Sequence, residues 1–173
     1  RDAISRQVFP GAAVGVSVNS GIQRRSFSAV WGHAAVIPRP KELTKETLFD
    51  LASLTKPLAT TLALLCLVQE KRIDLDETLP SLLQRDVPHD KKNITLRHLL
   101  NHCSGLADHH PFYQQLINIA EDARKETLVD FIIHDKLCWP VGSRALYSDL
   151  GFILLGMIVE VLCMHWTDAE LKP

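Results

Sequence analysis

From Leu58 to Val68 the chain reads LATTLALLCLV, apolar on nearly every face of a helix, and a stretch of that kind suits a helix set in the middle of a folded protein. It ends at the polar Gln69-Glu70-Lys71. Before it the pattern changes period. Val14, Val16 and Val18 alternate with small or polar residues, as in a half-buried strand, and Asn19-Ser20-Gly21 supplies a turn. A second strand is expected over roughly Arg25 to Trp31 with Phe27 inside. Thr47-Leu48-Phe49-Asp50 reads as a short third strand after the Pro-containing loop Ile37 to Pro40.

After the apolar helix, short helical stretches alternate with turns from Asp74 to about Leu106. Glu77 to Leu83 is one; Thr95 reads as the N-cap of another carrying Leu96, Leu99 and Leu100. A further helix is expected around Glu126 to His134. The turn Trp139-Pro140-Val141-Gly142 then delivers Tyr147-Ser148-Asp149 to a last helix, Leu150 to about Val161. Strands followed by helices make an α+β fold. The organisation expected is one partial domain over 1–173, with strands in 1–52, the apolar helix in 53–72 and a helical subdomain in 73–173.

Bulk properties narrow the function. With 173 residues, 46% of them apolar, the chain can bury a core. Its 19 basic and 20 acidic side chains are interspersed, so no block of one sign points to nucleic acid or anionic lipid, and a small neutral substrate fits better. The apolar stretch between Asp149 and Glu160 falls short of the roughly 18 residues a bilayer crossing needs, so no transmembrane segment is expected. Four cysteines stand far apart, and Cys66 and Cys163, in apolar helix-like runs, read as packed core thiols. The chain opens on Arg1 without an apolar leader, as a processed or trimmed protein would, which leaves the compartment open.

The candidate chemistry lies at the mouth of the apolar helix. Ten serines and nine lysines should give ~0.5 Ser-x-x-Lys pairs by chance, so Ser53 and Lys56 gain meaning from context. Ser53 follows a short strand and enters the most apolar helix, so the two side chains would share one face of its first turn. Backbone N–H groups and the positive end of the helix dipole there can stabilise an oxyanion. For Lys56 to act as a base, lowering its pKa from about 10.4 to about 7 takes roughly 4–5 kcal/mol. A helix dipole supplies at most ~2 kcal/mol, whereas burial can shift a lysine by ~3–5 units. Lys56 is therefore expected to be buried. Pro57 costs little hydrogen bonding so near the first turn. The pair taken alone reads equally as an N-cap serine with a surface lysine one turn on.

Three ordered segments decide between these readings. Phe49-Asp50-Leu51-Ala52-Ser53-Leu54-Thr55-Lys56-Pro57, Ile94-Thr95-Leu96-Arg97-His98-Leu99-Leu100-Asn101-His102-Cys103-Ser104-Gly105-Leu106 and Tyr147-Ser148-Asp149-Leu150-Gly151 resemble, in order and spacing, signatures of the class C-like serine β-lactamase and penicillin-binding protein family. Phe9-Pro10-Gly11-Ala12-Ala13 and the turn at Gly142 extend the resemblance over nearly the whole chain. It implies the β-lactamase/transpeptidase-like fold, an antiparallel sheet flanked by helices plus a helical subdomain. It also implies a serine hydrolase acting on ester, amide or β-lactam carbonyls, with no metal and no organic cofactor. By the resemblance Ser53 forms an acyl-enzyme, Lys56 is its proton partner and Tyr147 supplies the phenol of the second motif. A tyrosine beside an ammonium has its pKa of about 10 lowered, which suits it as a base.

Two departures qualify this. Class C β-lactamases usually carry asparagine where Asp149 stands, and that amide contacts the substrate's side-chain carbonyl; an ionised carboxylate cannot donate that bond. Asp149 as the substrate-binding residue thus tilts the expectation from penicillins toward an esterase or an amidase of other specificity. Second, the family's third motif, a Lys or His followed by a small residue and Gly on a C-terminal strand, has no counterpart before Pro173, and the tail Leu162 to Asp168 lacks the glycine expected after such a helix. The fold is therefore expected to be incomplete, with a C-terminal half elsewhere, or with a homodimer in which two copies complete each other's sheets. The alternative function is a non-catalytic binding or assembly module. His98 and His102, i and i+4, with Asp108, His109 and His110, tempt a zinc reading; Leu99 stands where a metalloprotease helix carries its glutamate, and the histidines read as structural.

Overall fold

The computed structural model describes residues 2–21 and 23–164, apart from the side chain of Met164, and divides into two compact units, Arg1–Leu51 and Ala52–Pro173. The tail beyond Met164, where a glycine was looked for, lies outside the described residues.

In the first unit a short helix α1 (Asp2–Ser5) precedes an antiparallel sheet of three strands, β1 (Gly11–Asn19), β2 (Arg24–Ala35) and β3 (Lys41–Glu42), in the order β1-β2-β3. The alternating valines form β1, and the turn follows as anticipated: the Asn19 side chain accepts from the Gly21 N–H at 3.0 Å, and Gly21 takes a φ of 81° that favours glycine. Two expectations fail here. The third strand is Lys41–Glu42, not 47–50: Thr47 instead closes a local turn, its hydroxyl accepting from the Thr44 N–H at 3.0 Å and its own N–H donating to the Thr44 carbonyl at 3.2 Å. Side-chain-to-backbone bonds of this kind compete with a ladder. Phe27, opposite Val16 across the hairpin, is 62% exposed instead of inside. A sheet face needs a second layer to bury it, and Leu43 is the one buried hydrophobic of this unit among the described residues.

The second unit holds the core. Helices α2 (Thr61–Gln69), α3 (Leu79–Leu83), α4 (Leu96–Leu100), α5 (Tyr113–Leu116), α6 (Arg124–His134) and α7 (Asp149–Met164) follow in chain order. Leu154, Leu155 and Ile158 of α7 pack in one cluster with Leu64 and Leu67, Leu79 and Leu82, Leu96 and Leu99, and Ile132 and Ile133. Each such side chain fully removed from water contributes about 1.5–3 kcal/mol. Thr95 is the expected N-cap, and it forms a capping box whose return partner is a histidine: the Thr95 hydroxyl accepts from the His98 N–H at 3.3 Å while His98 Nδ1 accepts from the Thr95 N–H at 3.2 Å.

The apolar helix is less buried than its composition suggests. Leu64 and Leu67 are buried, but Leu58, Leu62 and Leu65 are exposed, and so is Cys66, which is therefore no core thiol. One face alone meets the core of its unit, because α7 occupies the centre. By length and composition alone the run Ala52–Gln69 is apolar enough to cross a membrane, 18 residues at a mean hydropathy of 1.3, which the sequence expectation had not allowed for. A core helix meets the same two criteria, so the test by itself assigns no membrane.

Candidate active site

Ser53 lies in a 3-10 turn, Ala52–Leu54, and the next segment, Lys56–Thr60, winds more widely as a π-helix before α2 begins, the Thr61 N–H reaching back five residues to the Lys56 carbonyl. Ala52, directly before the serine, is held at a φ of 45°, a left-handed conformation that costs a residue with a Cβ about 1–2 kcal/mol. π-Helical turns and residues of this strained kind both concentrate at functional sites.

Lys56 donates to the Ser53 hydroxyl at 3.4 Å and to Asp149 Oδ1 at 2.7 Å. Its amine lies 5.1 Å from the ring centre of Tyr147 and 5.6 Å from that of Phe152, within reach of a cation–π attraction. The Tyr147 phenol lies near enough to the Ser53 hydroxyl and the Lys56 amine to be influenced by both. Ser53, Lys56, Tyr147 and Asp149 are thus brought together. Lys56, Asp149 and Ser53 line one open pocket of about 460 Å³, with His109 and Phe152 on its wall.

Electrostatics separate the two candidate bases, Lys56 and Tyr147, between which the sequence does not choose. Burial, the largest single influence, pushes the Lys56 amine down, since its side chain is 16% exposed; the hydrogen bonds and charges of Asp149 and Tyr147 together outweigh it and hold the pKa above the ordinary 10.5. That direction favours the ammonium form of Lys56, because the Asp149 carboxylate meets the amine and offsets its desolvation. Tyr147 moves the other way. The neighbouring Ser53 hydroxyl, then the Lys56 amine and its charge, pull the phenol below 10.0, against desolvation and the Asp149 charge.

The second motif owes its position to the loop after α4. The Ser148 N–H donates to His102 Nδ1 at 3.0 Å, and the Ser148 hydroxyl donates to the Ala107 carbonyl at 2.6 Å while accepting from the Gly151 N–H at 3.1 Å, so Ser148 caps α7. The Leu146 N–H reaches the His102 carbonyl at 2.9 Å and the Asp149 N–H reaches the Asp108 carbonyl at 2.8 Å. His102 also packs against the rings of Tyr147 and Phe152 at 4.6 and 5.1 Å. Burial and the Lys56 charge lower its pKa, so Nδ1 is free to accept. Both helix-spaced histidines therefore have local structural partners.

Gly105 is the pivot of that loop, at a φ of 80° and so close to Trp139 that a Cβ would sit 2.2 Å from its carbonyl oxygen. Gly105→Ala should cost about 2–5 kcal/mol, summing left-handed strain and overpacking; thermal unfolding of the variant should show a clearly lower Tm, and an unchanged Tm would contradict this packing.

Sequence reasoning missed Phe152 and His109 as pocket residues. Phe152 stands three residues after Asp149 on the first turn of α7, a spacing that could have announced it. His109 had no such signal, since only the folded loop sets its imidazole Nδ1 4.0 Å from Asp149 Oδ2.

A family model described as Beta-lactamase matches residues 1–162. The N-acetylmuramyl-L-alanine amidase of Bacillus subtilis (strain 168) is 31% identical over 95% of this chain and 41% of its own length. Among solved structures, the penicillin binding protein from Bacillus halodurans superposes with a TM-score of 0.68 at 26% identity, over 94% of this chain and 49% of that one. The octameric penicillin-binding protein homologue from Pyrococcus abyssi gives 0.69 at 25% identity, over 94% and 37%. The chain thus spans about one third to one half of the length of the proteins it matches.

Proposed function

Since this chain belongs to the β-lactamase family, we propose that it carries the nucleophile of a serine hydrolase acting on ester or amide carbonyls through an acyl-Ser53 intermediate. One observation carries the reading: the Ser53 hydroxyl and the Lys56 amine are in contact on the wall of an open pocket, with the Tyr147 ring centre 5.1 Å from that amine.

The directions of the Lys56 and Tyr147 pKa shifts support the following steps. The Tyr147 phenolate, stabilised by the Lys56 ammonium, takes the Ser53 hydroxyl proton as Oγ bonds to the substrate carbonyl carbon. The tetrahedral adduct collapses, the bond to the leaving alkoxide or amine breaks, and Tyr147 returns the proton to that group. Water then attacks the acyl-Ser53 carbonyl and gives a proton to Tyr147; the adduct collapses, the bond to Ser53 Oγ breaks, and Tyr147 passes that proton to Oγ as the carboxylic acid leaves, restoring serine and phenolate. Lys56 keeps its proton throughout, fixed by Asp149, and serves as the charge that makes the phenolate accessible.

Hydrolysis of p-nitrophenyl acetate by the complete protein, with a burst of p-nitrophenol followed by slower turnover, tests the reading. No burst and no turnover would remove it and favour the binding-module alternative. A pH profile tests the assigned base. Activity should rise with pH along an acid limb that tracks the phenol and lies below 10.0. The Asp149 charge raises the phenol's pKa, so Asp149→Asn should move that limb to lower pH; a limb that stays or moves up would remove Tyr147 from the role of base.

A further inference from the structure

Only half of the Asp149 carboxylate is accounted for by the ion pair. Oδ1 holds the Lys56 amine at 2.7 Å, whereas Oδ2 meets the His109 imidazole at 4.0 Å, too long for a hydrogen bond. An ionised carboxylate offers about four acceptor positions and no donor. Its side chain is 43% exposed and lines the same pocket as Ser53. Lys56 bonds to both, so the carboxylate lies within two hydrogen-bond lengths of the Ser53 hydroxyl, a span that a carbonyl carbon beside Oγ, its neighbouring carbon and a substituent hydrogen-bonded to the carboxylate can bridge.

Resting on the serine-hydrolase reading, we propose that Asp149 is a specificity-determining residue that selects acyl groups bearing a hydrogen-bond donor, above all an ammonium, on the carbon next to the reacting carbonyl. A substituent carbonyl at that place would present lone pairs to lone pairs. An apolar one would strip water from Oδ2 and return nothing. A donor restores the lost hydration, and an ammonium makes the stronger, charge-assisted bond. The carboxylate then bridges two cations, Lys56 on one oxygen and the substrate on the other, in a partly exposed ion triad.

The test compares the p-nitrophenyl esters of alanine and of propionic acid, which differ only in the ammonium, on the complete protein, with each kcat/KM divided by the ester's rate in buffer. p-Nitrophenyl acetate, which has no such substituent, reports acyl transfer alone. The alanine ester should be favoured about tenfold or more, as expected of a hydrogen bond to a charged group. Asp149→Asn should bring the ratio close to one, and Asp149→Glu should retain part of it. Because the ratio is taken within one sample, a variant that folds incompletely still reports it. A wild-type ratio near one, or a ratio that survives in Asp149→Asn, overturns the proposal while leaving the hydrolase reading intact. Absence of Ser53-dependent turnover of all three esters defeats both.

Discussion

Replacing Ser53 by alanine is expected to lower kcat on an activated ester by about 10⁶-fold, the scale seen when the nucleophile of a serine hydrolase is removed. The Ser53 side chain is exposed and its recorded bond is the 3.4 Å contact from Lys56, so fold and Tm should hold. What disappears is the atom that accepts the acyl group. The Lys56 ammonium and the Tyr147 phenol remain and can polarise a bound carbonyl, but neither supplies a covalent intermediate that splits the reaction into two easier steps. Steady-state kinetics with p-nitrophenyl acetate would show the loss in kcat together with the disappearance of the burst. A variant within tenfold of wild type would place the nucleophile elsewhere.

Tyr147→Phe should lower kcat/KM by about 10²- to 10⁴-fold, the range general-base catalysis supplies. Its distinguishing readout is the shape of the pH profile. With the phenol gone, the acid limb assigned to its titration should vanish and leave residual activity that climbs with hydroxide concentration. The ring is 52% exposed and its contact with His102 survives the substitution, so the melting temperature should barely move. If the limb keeps its position in the variant, the titrating group is another residue.

How far the sequence foretold all this differs from element to element. Ser53, Lys56 and Tyr147 could be named in advance because two are separated by a single helical turn and the third belongs to a short motif. Their charges could not. Lys56 and Asp149 are 93 residues apart, and no local pattern says that a carboxylate will close on the amine at 2.7 Å; without it, the sequence does not choose between Lys56 and Tyr147 as the base. The hairpin β1–β2 followed from its alternating valines, whereas 47–50 looked like a strand until the Thr44 and Thr47 bonds gave its backbone another partner. Phe27 and Cys66 were placed inside because apolar composition was equated with burial, yet a residue is buried only when a second surface meets it. The π-helical turn after Thr55 had no signal, since a ladder of five-residue bonds leaves no mark in composition.

Identifying the residue that carries a covalent adduct reaches the central claim most directly. The complete protein is treated with a fluorophosphonate, digested and mapped by mass spectrometry. The account predicts one adduct, on the peptide containing Ser53, and none after Ser53→Ala. An adduct on another residue, or none on a protein that hydrolyses p-nitrophenyl acetate, would contradict it.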